Sequence, residues 1–280
     1  MQVFEKKSAL KHCLSSVKNQ NKQIGFVPTM GALHKGHLSL IKSSKENNDI
    51  TIVSIFVNPT QFNSIEDLKK YPKTIEKDLR LLKDIDCDIV FIPSVEEIYD
   101  NTIVSVPFSF DGLENSMEGA FREDHFDGVA TVVQQFFEII MPNNAYFGEK
   151  DFQQLQIIKK LVQKNNIPVQ IISCPIFREK DGLAMSSRNA RLTKKEREEA
   201  GFIYQTLQKV SNKLIESTVE ETSHFVENLF QKNPLLVLEY FCIAEEETLL
   251  TPKKINPTKK HRAFIAVNTG SIRLIDNISL

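Results

Sequence analysis

Ile24-Gly25-Phe26-Val27-Pro28-Thr29-Met30-Gly31-Ala32-Leu33-His34-Lys35-Gly36-His37 passes from an apolar run, through a glycine-bearing turn, to two histidines at helical spacing. An unbroken apolar run such as Ile24 to Pro28 predicts a strand buried on both faces. Gly31 lets the backbone turn tightly before a helix that begins near Gly36. His34 and His37 then share one side of the first helical turn, beside backbone N–H groups with no partner inside the helix. Those amides, the positive end of the helix dipole and two imidazoles suit phosphate oxygens, and Gly36 gives the backbone room to approach. Taken alone, each histidine reads as a polar surface residue at a helix start. The strand, the turn and the pair together read as half of a nucleotide site.

Outward from this stretch, short runs rich in Ile, Val and Phe alternate with longer helical patterns. Strands are expected at Ile24 to Pro28, Ile50 to Val57, Asp88 to Ile92, Ala145 to Gly148 and Val169 to Ile176. Between them, helices are expected at Leu38 to Asn47, Thr74 to Asp84, Val129 to Ile140 and Asp151 to Asn165. This alternation predicts an α/β fold with a right-handed, doubly wound parallel sheet, which binds ligands at the carboxyl ends of its strands. After Arg191 the texture changes to a charged helix, Thr193 to Ala200, with Thr193 and Glu196 as a capping box. Helical patterns through Leu214 and Phe230 follow, then strands at Val237 to Ile243 and Ala263 to Val267. The expected organisation is a Rossmann-like domain over residues 1–177 and a smaller α+β domain over 178–280.

At 280 residues the chain can bury a substantial core, and a hydrophobic fraction of 41% with a charged fraction of 25% is ordinary for a globular protein. Lys and Arg number 35 against 36 Asp and Glu, so no global field favours nucleic acid or an acidic membrane surface. Neither is expected as a partner, and any anion site is local. Cys13, Cys87, Cys174 and Cys242 are scattered, without metal-ligand spacing, and read as reduced thiols. Met1 to Lys11 lacks the apolar core of a signal peptide, and no apolar stretch approaches the ~20 residues of a membrane span. A cytoplasmic location is expected.

Three further segments fall at strand ends. Met185-Ser186-Ser187-Arg188-Asn189 gathers hydroxyls and a cation in a loop after Asp181-Gly182, again suited to phosphate. Gly148-Glu149-Lys150-Asp151 opens a helix: Lys150 can act as a point charge on phosphate, and Asp151 can accept from a ribose hydroxyl. Charged residues in a first helical turn also serve as caps. Gln154 lies nearly a turn further on. Asn58 and Gln61, in a loop fixed by Pro59, offer amides suited to a carboxylate and hydroxyls, although Asn-Pro turns are common.

His-x-Gly-His after this strand and turn matches the signature of the nucleotidylyltransferase superfamily, and Met185-Ser186-Ser187-Arg188 is similar to its second signature, with Arg188 in place of a lysine. Four segments narrow the likeness: Pro28 to His34, Val57-Asn58-Pro59-Thr60-Gln61-Phe62, Phe147 to Leu155 and Asp181 to Asn189. They resemble the pantothenate synthetase family, ATP-dependent ligases that join pantoate to β-alanine, and Arg273 to Asn277 also fits.

The resemblance implies a Rossmann-like domain that binds ATP and pantoate, a C-terminal domain carrying the Met-Ser-Ser-Arg loop, Mg2+ with the ATP, and a homodimer. It implies catalytic roles on phosphate for His34, His37, Lys150, Ser186, Ser187 and Arg188. ATP contacts are implied for Met30, Gly31, Ala32, Leu33, Lys35, Gly36, Gly148, Glu149, Asp151, Phe177 and Met185. Gln61, Gln154, Asn58 and Met30 fall to pantoate or β-alanine, and Asp78 to the metal. Glu118, Arg122 and His125 lie in a flexible active-site segment, where Glu123-Asp124 replaces the usual Pro-Gly; Lys77 interrupts the acidic cluster at Asp78.

The implied chemistry is attack of the pantoate carboxylate on the α-phosphorus, releasing pyrophosphate, then attack of the β-alanine amine on pantoyl adenylate, releasing AMP. Neither step needs a protein nucleophile. Rival readings are a cytidylyl- or adenylyltransferase of the same superfamily, which would not need Asn58 and Gln61 in this arrangement, and an inactive nucleotide-binding module. A tRNA synthetase fits less well, because no basic surface is evident.

Overall fold

The computed structural model describes residues 1–100 and 102–280. The chain divides into two compact units, Met1–Glu149 with Gln153–Pro175, and Lys150–Phe152 with Ile176–Leu280.

The first unit runs β1 (Gln2–Phe4), α1 (Lys7–Asn19), β2 (Ile24–Thr29), α2 (Lys35–Asn47), β3 (Ile50–Ile55), α3 (Ile65–Lys70), α4 (Ile75–Asp84), β4 (Ile89–Phe91), α5 (Val95–Tyr99), α6 (Glu118–Phe121), α7 (His125–Ile140), β5 (Asn144–Gly148), α8 (Phe152–Lys164) and β6 (Gln170–Cys174). Its six strands pair in parallel in the order β1-β4-β3-β2-β5-β6. From β2 the chain winds outward through β3 and β4, then returns to β5 on the other side of β2, so the order reverses between β2 and β5. That reversal is where open α/β sheets form their ligand crevice. The turn after β2 and Gly148 at the end of β5 both stand there.

Alternation along the strands sends Val27, Val53 and Val90 to one face, where they pack with Ile41 of α2 and Leu82 of α4. Gly25 shares that face: a Cβ there would lie 2.2 Å from Ser44 Oγ, so α2 rests directly on β2. On the other face Phe136 of α7 meets Phe26, Phe56 and Phe91 with ring centroids 5.6, 6.0 and 6.2 Å apart. All four rings are buried.

The second unit contains α9 (Lys194–Glu199), α10 (Phe202–Glu216), α11 (Val219–Gln231), β7 (Val237–Glu245), β8 (His261–Thr269) and β9 (Ile272–Ser279), with the strands antiparallel in the order β7-β8-β9. Ala263, Ile265, Val267, Ile272 and Leu274 form its core with Ile203 and Leu207 of α10 and Phe230 of α11. The capping box of Thr193 and Glu196 is formed as expected, and a second joins Thr218 and Glu221.

The expected α/β architecture is present; α1, α3, α5 and α6 lie outside the expected helices, and further elements differ as well. β1 was not anticipated, because three residues with two side chains exposed carry no periodic signal. β9 was missed because Asp276-Asn277 interrupts its apolar alternation. α7 starts at His125 rather than Val129, since its first turn is polar in sequence yet buried in the fold.

Phe136→Ala should cost about 3–5 kcal/mol, because it empties the meeting point of three other rings. Urea unfolding measures this; a loss below about 1 kcal/mol would mean that the aromatic cluster collapses freely around the gap.

Candidate functional site

β2 ends with Thr29 Oγ1 donating to the Ser54 carbonyl at 2.7 Å and accepting from Gly31 N at 3.2 Å. The chain then takes Gly31 at φ +79° and Ala32 at φ +49°, both in the left-handed region. Asp78, at 0% exposure, holds this turn from α4: Oδ2 accepts from Ala32 N at 3.0 Å and Oδ1 from Leu33 N at 2.8 Å. Thr74 Oγ1 donates to the same carboxylate at 3.1 Å. A Cβ on Gly31 would sit 3.2 Å from Asp78 Oδ2 and 3.0 Å from Ile55, so glycine serves both conformation and fit. The Asp78 carboxylate, which the resemblance assigns to the metal, is here engaged with the loop. Among the described residues no group of three or more His, Cys, Asp or Glu is arranged to hold an ion.

The braced turn delivers His34 as the residue before α2, with extended backbone at φ −141°. The rings of His34 and His37 stack with centroids 4.0 Å apart, so both occupy one side of the helix start. Gly36 is buried and Lys35 exposed. Leu33 is buried, so toward a ligand it could offer only backbone.

Met30, Asn58 and Gln61 come together in this unit. Gln61 Nε2 lies 3.1 Å from Met30 Sδ, and Gln61 Oε1 accepts from Asn58 Nδ2 at 3.2 Å. Asn58 itself is 1% exposed and serves the loop: Nδ2 also donates to the Gly128 carbonyl at 3.1 Å, while Oδ1 accepts from Tyr99 Oη at 2.5 Å and Thr60 Oγ1 at 3.1 Å. Burial pushes the Tyr99 phenol above its ordinary value, which keeps it a proton donor to Asn58. Gly128 is required at this contact, since a Cβ would lie 2.4 Å from the Thr60 carbonyl oxygen.

The segment from Glu118 to His125 reaches the same turn. Arg122 donates to the Gln61 carbonyl at 3.2 Å and His125 Nδ1 lies 2.8 Å from it. Arg122 pairs with Glu118 at 3.5 Å, and the Glu118 N–H donates to Gln153 Oε1 at 2.9 Å. Gln153 also donates to the carbonyls of Leu113 and Ser116, so it anchors the segment while Gln154 is only half-buried. A Cβ on Gly148 would meet nothing within 4 Å: this strand end faces open space. Glu149 is half-buried.

In the second unit the chain forms a tight hairpin before Met185. Arg178 grips Asp276 with two bonds of 2.6 and 3.0 Å, donates to the Gly182 carbonyl at 3.0 Å, and lies 3.9 Å over the Tyr204 ring. Gly182 has φ +90°, and a Cβ there would strike Tyr204 at 2.1 Å. Arg197 pairs with Asp181 and holds its carboxyl below the ordinary value. Asn189 Nδ2 donates to the Ala184 carbonyl at 3.1 Å, and Met185 N to the Phe177 carbonyl at 2.9 Å. Ser186 caps the short turn Ser187–Arg191 through Arg188 N at 3.2 Å. Met185, Ser186, Ser187 and Arg188 are half-buried, and Phe177 is exposed. Lys150 Nζ lies 3.7 Å from the exposed Asp151 carboxylate.

Tyr99, Gly128 and Arg178 went unrecognised in the sequence, and Gln153 and Asp276, although inside segments that resemble the family, carried no role there.

Residues 2–279 match the sequence model of the family described as pantoate-beta-alanine ligase. A curated relative, the pantothenate synthetase of Christiangramia forsetii, is 53% identical over 100% of this chain and 99% of that protein. The crystal structure of pantothenate synthetase from Thermus thermophilus superposes with a TM-score of 0.91 at 36% identity, covering 99% of both chains. Pantoate-beta-alanine ligase from Francisella tularensis, complexed with beta-gamma ATP and beta-alanine, gives a TM-score of 0.76 at 37% identity, covering 99% of this chain and 97% of that one.

Asp78→Asn places an amide donor against the backbone N–H groups of the turn. Loss of a charge-assisted acceptor in a buried site should lower unfolding free energy by about 1.5–3 kcal/mol in metal-free buffer without any ligand. Unchanged stability there would remove Asp78 as the brace.

Proposed function

This chain belongs to the pantoate-beta-alanine ligase family, and from that membership we propose how its residues divide the work of joining pantoate to β-alanine with ATP. The overall reaction is that of the family: ATP drives amide formation between the two acids. In the reading proposed, the pantoate carboxylate attacks the α-phosphorus and pyrophosphate leaves. The β-alanine amine then attacks the carbonyl of pantoyl adenylate, loses a proton, and AMP leaves. Such chemistry asks the protein for alignment and for stabilisation of charge on phosphate oxygens rather than for a nucleophile.

The observation that carries this reading is the helix start held by Asp78, with two stacked imidazoles and first-turn amides at the point where strand order reverses. His34 and His37 act there as donors to phosphate, and the backbone from Met30 to Gly36 lies against the nucleotide. Gly148 and Glu149 contribute a strand end with open space before it.

In the second unit, Lys150, Ser186, Ser187 and Arg188 act on phosphate, Asp151 on the ribose, and Phe177 and Met185 on the base side. Gln61 and Gln154 bind pantoate, and Met30 forms a wall of its pocket. Asn58 acts through Gln61, because its own amide is spent on Gly128, Tyr99 and Thr60. Glu118, Arg122 and His125 secure the Gln61 backbone. Magnesium would enter with the nucleotide and offset charge on its phosphates. The same reading includes a homodimer and a reducing, cytoplasmic setting, the latter supported by four free cysteines.

Purified protein given ATP, magnesium, pantoate and β-alanine should release AMP only when both acids are present. Pyrophosphate release with CTP and a phosphorylated acceptor would instead indicate a nucleotidyltransferase, and binding without turnover a module. His37→Ala should lower pantoyl-adenylate formation by roughly 10²-fold or more with the fold intact, as loss of a transition-state donor does. Near-normal turnover would sink that assignment.

A further inference from the structure

We infer that Asn277 is a positioning residue for Lys150, and that Asp276 and Asn277, adjacent on β9, set Lys150 and the Met185 to Arg188 loop on one platform. Successive side chains of a strand point to opposite faces. Asp276 shares the face of Ile272 and Leu274, and there it receives Arg178, at the base of the hairpin that carries Met185 to Arg188. Asn277 faces the other way, where its Nδ2 donates to the Lys150 carbonyl at 2.9 Å. Its Oδ1 accepts from Arg262 Nη1 at 2.6 Å, which fixes the orientation of the amide.

Arg262 is itself held. Its Nε donates to Glu246 at 2.9 Å, and its guanidinium lies 4.1 Å over the ring of Phe152, which packs against Phe264. Asn277, Arg262, Phe152 and Phe264 are all at most 6% exposed. The main chain at Lys150 and the side chain two residues on are therefore both clamped to the outer face of the antiparallel sheet. This accounts for the grouping of Lys150–Phe152 with the second unit. A lysine is a flexible point charge, so the carbonyl clamp decides where its stem begins.

The inference rests on the reading of Lys150 as a phosphate-binding residue, and a double-mutant cycle separates the two. Asn277→Asp keeps the acceptor for Arg262 and replaces the donor to the Lys150 carbonyl with an oxygen that repels it. With small misplacements costing up to about 10²-fold, Asn277→Asp should lower kcat for AMP formation about 10- to 100-fold, leaving the pantoate KM near its starting value. In a Lys150→Ala background, Asn277→Asp should cost nothing further. Equal fold losses in both backgrounds would show a merely structural role and overturn the inference. So would an unchanged kcat in Asn277→Asp when Lys150→Ala is impaired. Full activity in Lys150→Ala would overturn the reading of Lys150 itself, and the inference with it. If Asn277→Asp does not yield folded protein, Arg262→Lys, which keeps the charge and loses the fork that holds Asn277, replaces it in the same cycle with the same outcomes.

Discussion

The buried carboxylate of Asp78, accepting from the backbone of Ala32 and Leu33, is the interaction on which the geometry of the helix start at His34 depends. Two successive residues in the left-handed region are costly for a chain to hold, and Ala32 lacks the freedom of glycine. A carboxylate removed from water is costly as well, unless donors surround it. Each cost is offset by the other: the turn points its amides inward, and the carboxylate answers them with charge-assisted bonds. The outcome is a helix start with a fixed direction. Stacked imidazoles on a loose turn would have no common target.

The same principle recurs around the other groups. Asn58 is buried in bonds to Gly128, Tyr99 and Thr60, and this presents Gln61 beside Met30. Arg178 and Asp276 lock the hairpin ahead of the Met-Ser-Ser-Arg loop, while Asn277 secures Lys150. Residues assigned to substrate stand on turns, and buried polar contacts from neighbouring helices and strands supply the rigidity that the turns lack. Fully satisfied networks of this kind specify one arrangement, and breaking one member strands the others.

Much of this was legible in the sequence because its signals are local. The run Ile24 to Pro28 gives a buried strand, Gly31 a turn, and His34 with His37 a shared helical side; each follows from spacing alone. What stayed hidden depends on partners distant along the chain. Nothing beside Asp78 marks it as the acceptor for amides 45 and 46 positions earlier, so it reads as one more acidic residue near a metal. Asn58 reads as a ligand group because its burial comes from Tyr99 and Gly128, far along the chain. β9 was missed for a related reason: Asp276 and Asn277 break its apolar alternation because they hold other segments.

The proposed mechanism begins with attack of the pantoate carboxylate on the α-phosphorus of ATP, and oxygen labelling tests that step directly. With pantoate carrying 18O in both carboxylate oxygens, mass spectrometry of the products should find one labelled oxygen in AMP and one in the new amide carbonyl. Labelled inorganic phosphate with ADP, or labelled pyrophosphate with unlabelled AMP, would place the attack on a different phosphorus and contradict the account.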